Sequence, residues 1–178
     1  WVRNSDGLVL PVAPGVIAGS FKKANYKFVN YSYNEIKLDL EEILKFLKKI
    51  NPKMRVILTV SPVALAATFE NRSVFESNSY SKSVLVSVAQ DIKKTNLNVD
   101  YFPSFEIING HFNNESYYLT DKRQVCSIGV DNVMYIFFNA YFSHKLKRKE
   151  ITNNNLKNKL LNTTHLVDLI CEESKISK

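Results

Sequence analysis

Residues 56–69 restrict the possible folds of this chain more than any other segment. The segment opens with a continuous apolar run at 56–60, and Ser61 and Pro62 follow directly. A short run of this kind predicts a strand that is buried on both faces, as the strands of a parallel sheet are. The loop after such a strand lies at the carboxyl edge of the sheet, where α/β proteins bind their ligands. Ser61 is therefore a candidate pocket residue, with a structural turn as the alternative.

Helices are predicted on both sides of this strand along the chain. Ser32 and Glu35 have the spacing of a capping box, which predicts the start of a helix. The apolar stripe of that helix consists of Ile36, Leu40, Ile43, Leu44 and Leu47. A second helix is predicted from about 80 to 94, after a loop or short helix over 61–78. Its inward side chains are expected to be Val84, Leu85, Val88 and Ile92.

A second strand is predicted at 99–102, where Pro103 ends it. A strand, a helix and a strand in this order imply two parallel strands joined by a right-handed crossover. Ser127 is expected to cap a third helix further along the chain. The core face of the third helix is predicted from its helical spacing at Val130, Val133, Met134, Phe137, Phe138 and Tyr141.

The composition is typical of a globular chain, because 45% of the 178 residues are hydrophobic and 12% are aromatic. This length suits one domain with a core of its own. The formal net charge of +7 comes largely from residues 145–149 and the segment beyond them. Docking on an anionic surface and a solvated helix end are the two interpretations of this cluster. No nucleic-acid-binding motif is evident, so a nucleic-acid partner is not expected.

The cysteines and the apolar stretches bear on cofactors and location. Cys126 and Cys171 do not have the spacing of metal ligands, and no cofactor is expected. Two cysteines so far apart give little support for a disulfide scaffold, so a reducing, cytoplasmic setting is favoured. The apolar stretch at 56–69 contains a proline and is shorter than the ~20 residues that a membrane-spanning helix needs. No transmembrane segment is therefore predicted. The chain starts with Trp1 rather than methionine, which predicts a processed or partial chain.

Several ordered motifs resemble the GSCFA domain family. The residues that carry the resemblance are 7–19, 51–52, 56–69, 80–85, 101–108 and 129–134. The resemblance covers about residues 1–143 and implies a branch of the SGNH/GDSL hydrolase-like fold. The expected fold class is therefore α/β, with a partial three-layer α/β/α sandwich of flavodoxin-like type and parallel strands. Residues 144–178 form a basic, helical tail in this assignment.

The resemblance also implies an activity. Family members carry a Gly-Ser-Cys-Phe-Ala segment whose serine corresponds to the SGNH nucleophile, and the present sequence does not contain it. The chain is thus similar to the C-terminal part of a GSCFA domain, and the missing N-terminal half of that domain is an expected partner. The intact domain is expected to be an ester hydrolase or acyl transferase that acts on a small-molecule ester or an acylated glycan or lipid. The chain alone is expected to be inactive.

The resemblance places one catalytic residue in this sequence. SGNH enzymes usually carry Asp-x-x-His before the last helix, which corresponds here to 121–124. Asp121 fits the acid position, and a loop carboxylate that forms a turn is the alternative. Gln124 occupies the expected histidine position, and glutamine cannot accept a proton near neutral pH. Gln124 is therefore a pocket candidate, and it motivates a second hypothesis of a non-catalytic remnant that binds carbohydrate or lipid or acts as a scaffold.

Three further residues are pocket candidates. Lys82 and Ser83 are expected to open the second helix, whose N-terminus would attract a carboxylate or phosphate; ordinary capping and a solvated lysine are the alternatives. Glu106 follows the turn at Pro103, and a buried partner for arginine or lysine is its alternative role. If the first strands of the sheet are missing, the strand at 56–60 has an unpaired apolar edge, which predicts aggregation or dimerisation.

Overall fold

The computed structural model describes residues 1–10, 12–14, 21–110 and 117–142. The predicted tail at 144–178 lies outside these residues and stays a prediction. The four helices of the described ranges are α1 (Tyr33–Ile50), α2 (Val74–Thr95), α3 (Ser104–Asn109) and α4 (Ser127–Tyr141), with a 3₁₀ turn at Lys23–Asn25. The strands are β1 (Val2–Arg3), β2 (Tyr26–Lys27), β3 (Val56–Thr59) and β4 (Val99–Phe102).

The predicted parallel strand pair is confirmed. β3 and β4 are parallel, with Val56 opposite Val99 and Thr59 opposite Phe102, and α2 connects them. The chain is therefore α/β, as the strand–helix–strand order predicts.

Helices pack on both faces of β4. In β3, Val56 and Leu58 pack inward whereas Ile57 is 40% exposed, so the predicted burial of this strand on both faces is wrong. On one face, Val88 and Ile92 of α2 form a buried cluster with Val99 of β4, against which α1 packs. The α1 side chains in this cluster are Tyr33, Ile36, Leu40 and Leu44. On the other face, Phe102 packs with Ile107 and with Ile136 of α4. The alternation of side chains along β4 thus separates two apolar clusters.

The first helix begins as its capping box predicts. The Glu35 carboxylate accepts a hydrogen bond from the Ser32 backbone N–H at 2.8 Å. The predicted stripe is wrong at Ile43, which is 51% exposed. Ile36, Leu40 and Leu44 follow one another at intervals of four residues and define the face that packs on the core, and Ile43 lies beyond its edge.

The second helix begins at Val74 rather than near residue 80. The Ser73 hydroxyl accepts a hydrogen bond from the Glu76 backbone N–H at 3.1 Å and caps the helix. The first turns of α2 are rich in polar residues, so apolar periodicity alone did not mark them. Leu85 was predicted to point inward but is exposed. The short helix α3 follows Pro103 and was not predicted.

The core face predicted for the last described helix is correct in part, because Val133, Phe137 and Tyr141 pack against the core. Cys126, not Ser127, is its N-cap residue. Val130 and Met134 are exposed, and the buried residues of α4 are Gly129, Asn132 and Ile136. A glycine and an asparagine do not contribute to an apolar stripe, so hydrophobic spacing selected the neighbouring residues instead.

Aromatic side chains join the N-terminal segment to the loop after β3. The Trp1 ring lies 4.7 Å from the Phe69 ring and 5.3 Å from the Phe28 ring, measured between centroids. β1 and β2 pair antiparallel beside this cluster, with Val2 opposite Lys27. Such ring contacts stabilise the fold beyond the contribution of the apolar area that they bury.

Among the described helices, none is long and apolar enough to cross a membrane.

Acid is expected to destabilise the fold, because carboxylates hold its elements together. The Asp91 carboxylate accepts a hydrogen bond from the Tyr33 hydroxyl, which lowers the pKa of Asp91. Burial raises the pKa of Asp100, but hydrogen bonds from Lys93, Tyr141 and the Tyr101 backbone outweigh it and leave that pKa lowered. Hydrogen bonds from Ser32 lower the pKa of Glu35 likewise.

A carboxyl group whose pKa is lower in the folded state than in the unfolded state stabilises the fold at pH values above its unfolded-state pKa. That unfolded-state pKa is about 4 for these carboxyl groups. This contribution is lost as the pH falls through the folded-state pKa. Urea midpoints are therefore expected to be similar at pH 7 and pH 5 and lower at pH 3. Asp91→Asn should reduce the difference between pH 5 and pH 3, and equal midpoints at all three values would contradict the expectation.

Candidate functional site

Hydroxyl groups tie the two strands together at their carboxyl ends. The Thr59 hydroxyl lies 2.8 Å from the Phe102 carbonyl oxygen and 2.6 Å from the Ser104 hydroxyl. Ser104 opens α3 and donates to the Val60 carbonyl at 2.8 Å. The backbone after β3 is thus joined at its first residue to the backbone after β4.

Residues 60–65, which we call the carboxyl-edge loop, continue this pattern. The Lys82 ammonium donates to the Ser61 carbonyl at 2.6 Å, and the Tyr118 hydroxyl donates to the Pro62 carbonyl at 2.8 Å. The Asn78 side-chain oxygen accepts from the Leu65 backbone N–H at 3.0 Å. Side chains from α2, α3 and the segment before α4 therefore fix the loop where ligands bind in α/β folds.

Residues 117–126 form a short antiparallel turn that we call the acid hairpin. Tyr118 and Val125 form an isolated bridge, and the Cys126 N–H donates to the Tyr117 carbonyl at 2.8 Å. Arg123 Nε donates to the Ala64 carbonyl at 3.1 Å. Together with the bond from Tyr118, this contact holds the acid hairpin against the carboxyl-edge loop.

Asp121 lies in the turn of the acid hairpin and is exposed. Its Oδ1 accepts hydrogen bonds from the backbone N–H groups of Arg123 at 2.9 Å and Gln124 at 3.0 Å. These two bonds lower the pKa of the Asp121 carboxyl, and the charge of Arg123 contributes. Lys122 has a φ of 55°, a left-handed conformation that the turn requires. The turn-forming interpretation of Asp121 is thus realised, and its catalytic role stays a prediction.

Gln124 belongs to the acid hairpin, and Ser61 belongs to the carboxyl-edge loop that the hairpin contacts. Gln124 is exposed, and its backbone carbonyl accepts from the Leu119 N–H at 2.8 Å. Ser61 is also exposed, and its hydroxyl accepts from the Val63 N–H at 3.2 Å, as in a structural turn. The acid hairpin and the carboxyl-edge loop bring both candidates to the same edge of the sheet. Their part in a pocket stays a prediction.

Lys82 lies in the interior of α2 and not at its N-terminus, so the predicted helix-opening position of Lys82 and Ser83 is wrong. The Lys82 side chain is 8% exposed, and burial lowers its pKa. Ser83 lies next to it in α2 and is exposed. The structure thus separates the two residues: Lys82 contacts the carboxyl-edge loop, and none of the hydrogen bonds of the described residues gives Ser83 a side-chain partner.

Glu106 has a different partner from the one considered. The Tyr101 hydroxyl donates to its carboxylate, with oxygen–oxygen distances of 2.8 and 2.9 Å, and no ion pair of the described residues includes Glu106. Burial and this carboxylate raise the pKa of Tyr101. Glu106 therefore joins α3 to β4. None of the hydrogen bonds of the described residues joins the Glu106 side chain to the acid hairpin.

Three donors to the carboxyl-edge loop were not found from the sequence: Tyr118, Arg123 and Ser104. Each donates to a backbone carbonyl, and residue spacing does not indicate an interaction of this kind. The histidines His111, His144 and His165 lie outside the described residues. Within the described ranges, no group of three or more histidine, cysteine, aspartate or glutamate side chains is placed to hold a metal ion.

The fold and this edge define an α/β protein whose acid-bearing hairpin is held on the loop after a parallel strand. The family model described as the GSCFA family matches residues 1–137. The chain therefore belongs to the GSCFA family. No curated protein and no solved structure matches it.

Proposed function

We propose that this chain forms part of an SGNH-like ester hydrolase or acyl transferase domain that acts on an acylated glycan, a lipid or a small-molecule ester. Asp121 is the proposed acid of its catalytic site. The observation that carries the proposal is the position of the acid hairpin, which Arg123 and Tyr118 hold on the carboxyl-edge loop. Membership of the GSCFA family supports the same proposal.

The 178 residues supply only part of the proposed site. A serine nucleophile needs a base within hydrogen-bond reach and a group that orients the base. Asp121 would orient the base, and because Gln124 cannot act as one, the base that accepts the serine proton would have to come from outside residues 121–124. The nucleophile is proposed to come from the Gly-Ser-Cys-Phe-Ala segment of the parent protein, by which we mean the longer protein of which this chain would form part. Among the described strands, β3 has one strand partner, which supports the addition of further strands of the parent at its other edge.

The proposal is tested on the longest reading frame that contains this chain. We expect the parent protein to hydrolyse short acyl esters, and Asp121→Asn to lower kcat/KM by about 10²-fold, a typical loss for a group that supports acid–base catalysis. Steady-state ester hydrolysis is the measurement. The chain of 178 residues alone is expected to show no turnover above a blank.

Asp131→Asn is the matched control, because Asp131 is an exposed carboxylate on α4 and is not part of the acid hairpin. Its kcat/KM should stay within about twofold of that of the parent. Equal losses in Asp121→Asn and Asp131→Asn would refute a specific role for Asp121. Turnover by the 178-residue chain would refute its proposed inactivity.

A second candidate function is carbohydrate or lipid binding without turnover, and Gln124 favours it. Gln124→His distinguishes the two candidates in the parent protein. An increase in ester turnover on this substitution would show that the remaining catalytic groups are in place. Binding of an acylated glycan or lipid without turnover in either form would support the non-catalytic function.

A cytoplasmic location is also proposed. The cysteine content supports it, and Cys126 is a free cysteine.

A further inference from the structure

Lys82 is a buried cation without a counter-charge among the described residues. Its side chain is 8% exposed, and its ammonium donates one hydrogen bond, to the Ser61 carbonyl at 2.6 Å. None of the ion pairs in the described part of the chain includes Lys82. An ammonium group has three N–H donors. Two of the three therefore have no acceptor among the described residues.

A buried ammonium is costly to the fold unless an opposite charge accompanies it. A neutral side chain of similar length, such as methionine, would fill the same space in α2 without this cost. A single carbonyl oxygen compensates only part of the lost hydration. An anionic ligand would accept the remaining hydrogen bonds of the Lys82 ammonium and balance its charge, so burial of this cation favours the binding of an anion.

Arg123, on the acid hairpin, is a second cation that contacts the carboxyl-edge loop. Its Nε donates to the Ala64 carbonyl at 3.1 Å, three residues along the chain from the Ser61 carbonyl that Lys82 contacts. Three residues span at most about 11 Å, so both cations border one short stretch of backbone. The terminal guanidinium nitrogens of Arg123 have no hydrogen-bond partner in the described ranges. The nearby Asp121 carboxylate is bonded through Oδ1 to backbone N–H groups.

We propose that Lys82 and Arg123 form an oxyanion-binding site at the carboxyl-edge loop, which takes a phosphate or carboxylate group. The ammonium supplies the buried charge, and the guanidinium supplies paired donors that match the two oxygens of such a group. Burial lowers the pKa of Lys82, and a bound anion would raise it again. The site does not depend on ester turnover and exists whether or not the parent is an enzyme.

The test is titration of the 178-residue chain with inorganic phosphate and, separately, with acetate, at constant ionic strength set by chloride. Isothermal calorimetry and the melting temperature report binding. We expect saturable binding of at least one anion with Kd near or below about 1 mM, a binding energy of about 4 kcal/mol. The stronger of the two identifies the chemistry of the group.

Lys82→Met should weaken this binding at least tenfold, and Lys82→Arg should retain most of it. Lys45→Met is the matched control, because it removes the same charge from an exposed position on α1 and should leave Kd unchanged. Circular dichroism and a urea titration establish that each variant is folded. If Lys82→Met does not fold, Lys82→Arg and Arg123→Gln are compared instead, and Arg123→Gln is expected to bind more weakly.

Three results would overturn the proposal. The first is wild-type protein that shows no saturation with either anion up to roughly 10 mM, a range that covers weak specific binding. The second is equal weakening by Lys82→Met and Lys45→Met, which would mean that the anions respond to the net charge of +7 and not to this site. A folded Lys82→Met variant with unchanged Kd would likewise exclude Lys82.

Discussion

Ile92→Ala is expected to lower the free energy of unfolding by about 2–5 kcal/mol, the range for large aliphatic residues in cores. Ile92 is 0% exposed and packs in one cluster with Val88 and Val99. The side chains of α1 pack against this same cluster, so the cavity would lie where two helices meet the sheet. Several elements would have to move together to fill it, and the cost is therefore expected in the upper part of that range.

Ile43→Ala provides the control with the same chemical change. Ile43 lies on α1 and is 51% exposed, so its removal is expected to change the free energy of unfolding by less than about 0.5 kcal/mol. Urea unfolding followed by circular dichroism measures both variants. Similar losses for the two would mean that α1 buries Ile43, as its hydrophobic spacing alone predicted, and would contradict the packing described above.

Gly129→Val is expected to destabilise the protein by about 3 kcal/mol, the upper part of the usual range for overpacking. A Cβ atom at Gly129 would lie 2.8 Å from Tyr117 Cβ and 2.8 Å from Val125 Cγ1. Tyr117 Cβ is fixed to the backbone, so the acid hairpin itself would have to move away from α4. The glycine is needed here for close approach and not for a special backbone conformation.

Ala140→Val is the matched control, because it places the same side chain at an exposed position of α4. Valine is a poorer helix former than alanine by roughly 0.5 kcal/mol, and a loss of that size is expected. Urea midpoints of the two variants measure the difference. If Gly129→Val is as stable as Ala140→Val, the contact between the acid hairpin and α4 is not as close as described. Under the proposed catalytic role of Asp121, Gly129→Val should also lower ester turnover of the parent protein, because the acid hairpin carries Asp121.

The sequence was most informative where one physical rule acts locally. The apolar run at 56–60 and the proline after 99–102 predicted both parallel strands, and the pair Ser32 and Glu35 predicted the start of α1. These signals depend on near neighbours in the chain. The start of α2 was placed too late because a serine cap, and not an apolar stripe, sets it at Val74.

Polar and small residues on the buried face of α4 explain the largest error. Asn132 is buried because its side-chain amide donates to the Tyr117 hydroxyl at 3.2 Å, and Gly129 is buried because the acid hairpin approaches closely. Both depend on a partner more than ten residues away. Hydrophobic periodicity therefore selected Val130 and Met134, which are exposed.

The sequence pointed to only some of the residues at the carboxyl edge, because the other contacts there join residues that are distant in the chain. The rule that ligands bind at the carboxyl edge led to Ser61, and the family resemblance led to Asp121 and Gln124. The contact between Lys82 and the Ser61 carbonyl joins residues 21 positions apart and was not foreseen, since Lys82 was expected at a helix N-terminus. Bonds from side chains to distant carbonyls need the three-dimensional arrangement before they can be recognised.

The carboxyl-edge loop has a consequence for the order of folding. The side chains that fix its carbonyls stand 21, 44, 56 and 59 positions further along the chain, on three separate elements. Contacts between residues so far apart form slowly, because a long stretch of chain must be closed first. The loop can take its final shape only after α2, α3 and the acid hairpin have assembled. During synthesis, the carboxyl-edge loop can therefore be completed only after residue 123 has emerged, well after β3 has been made.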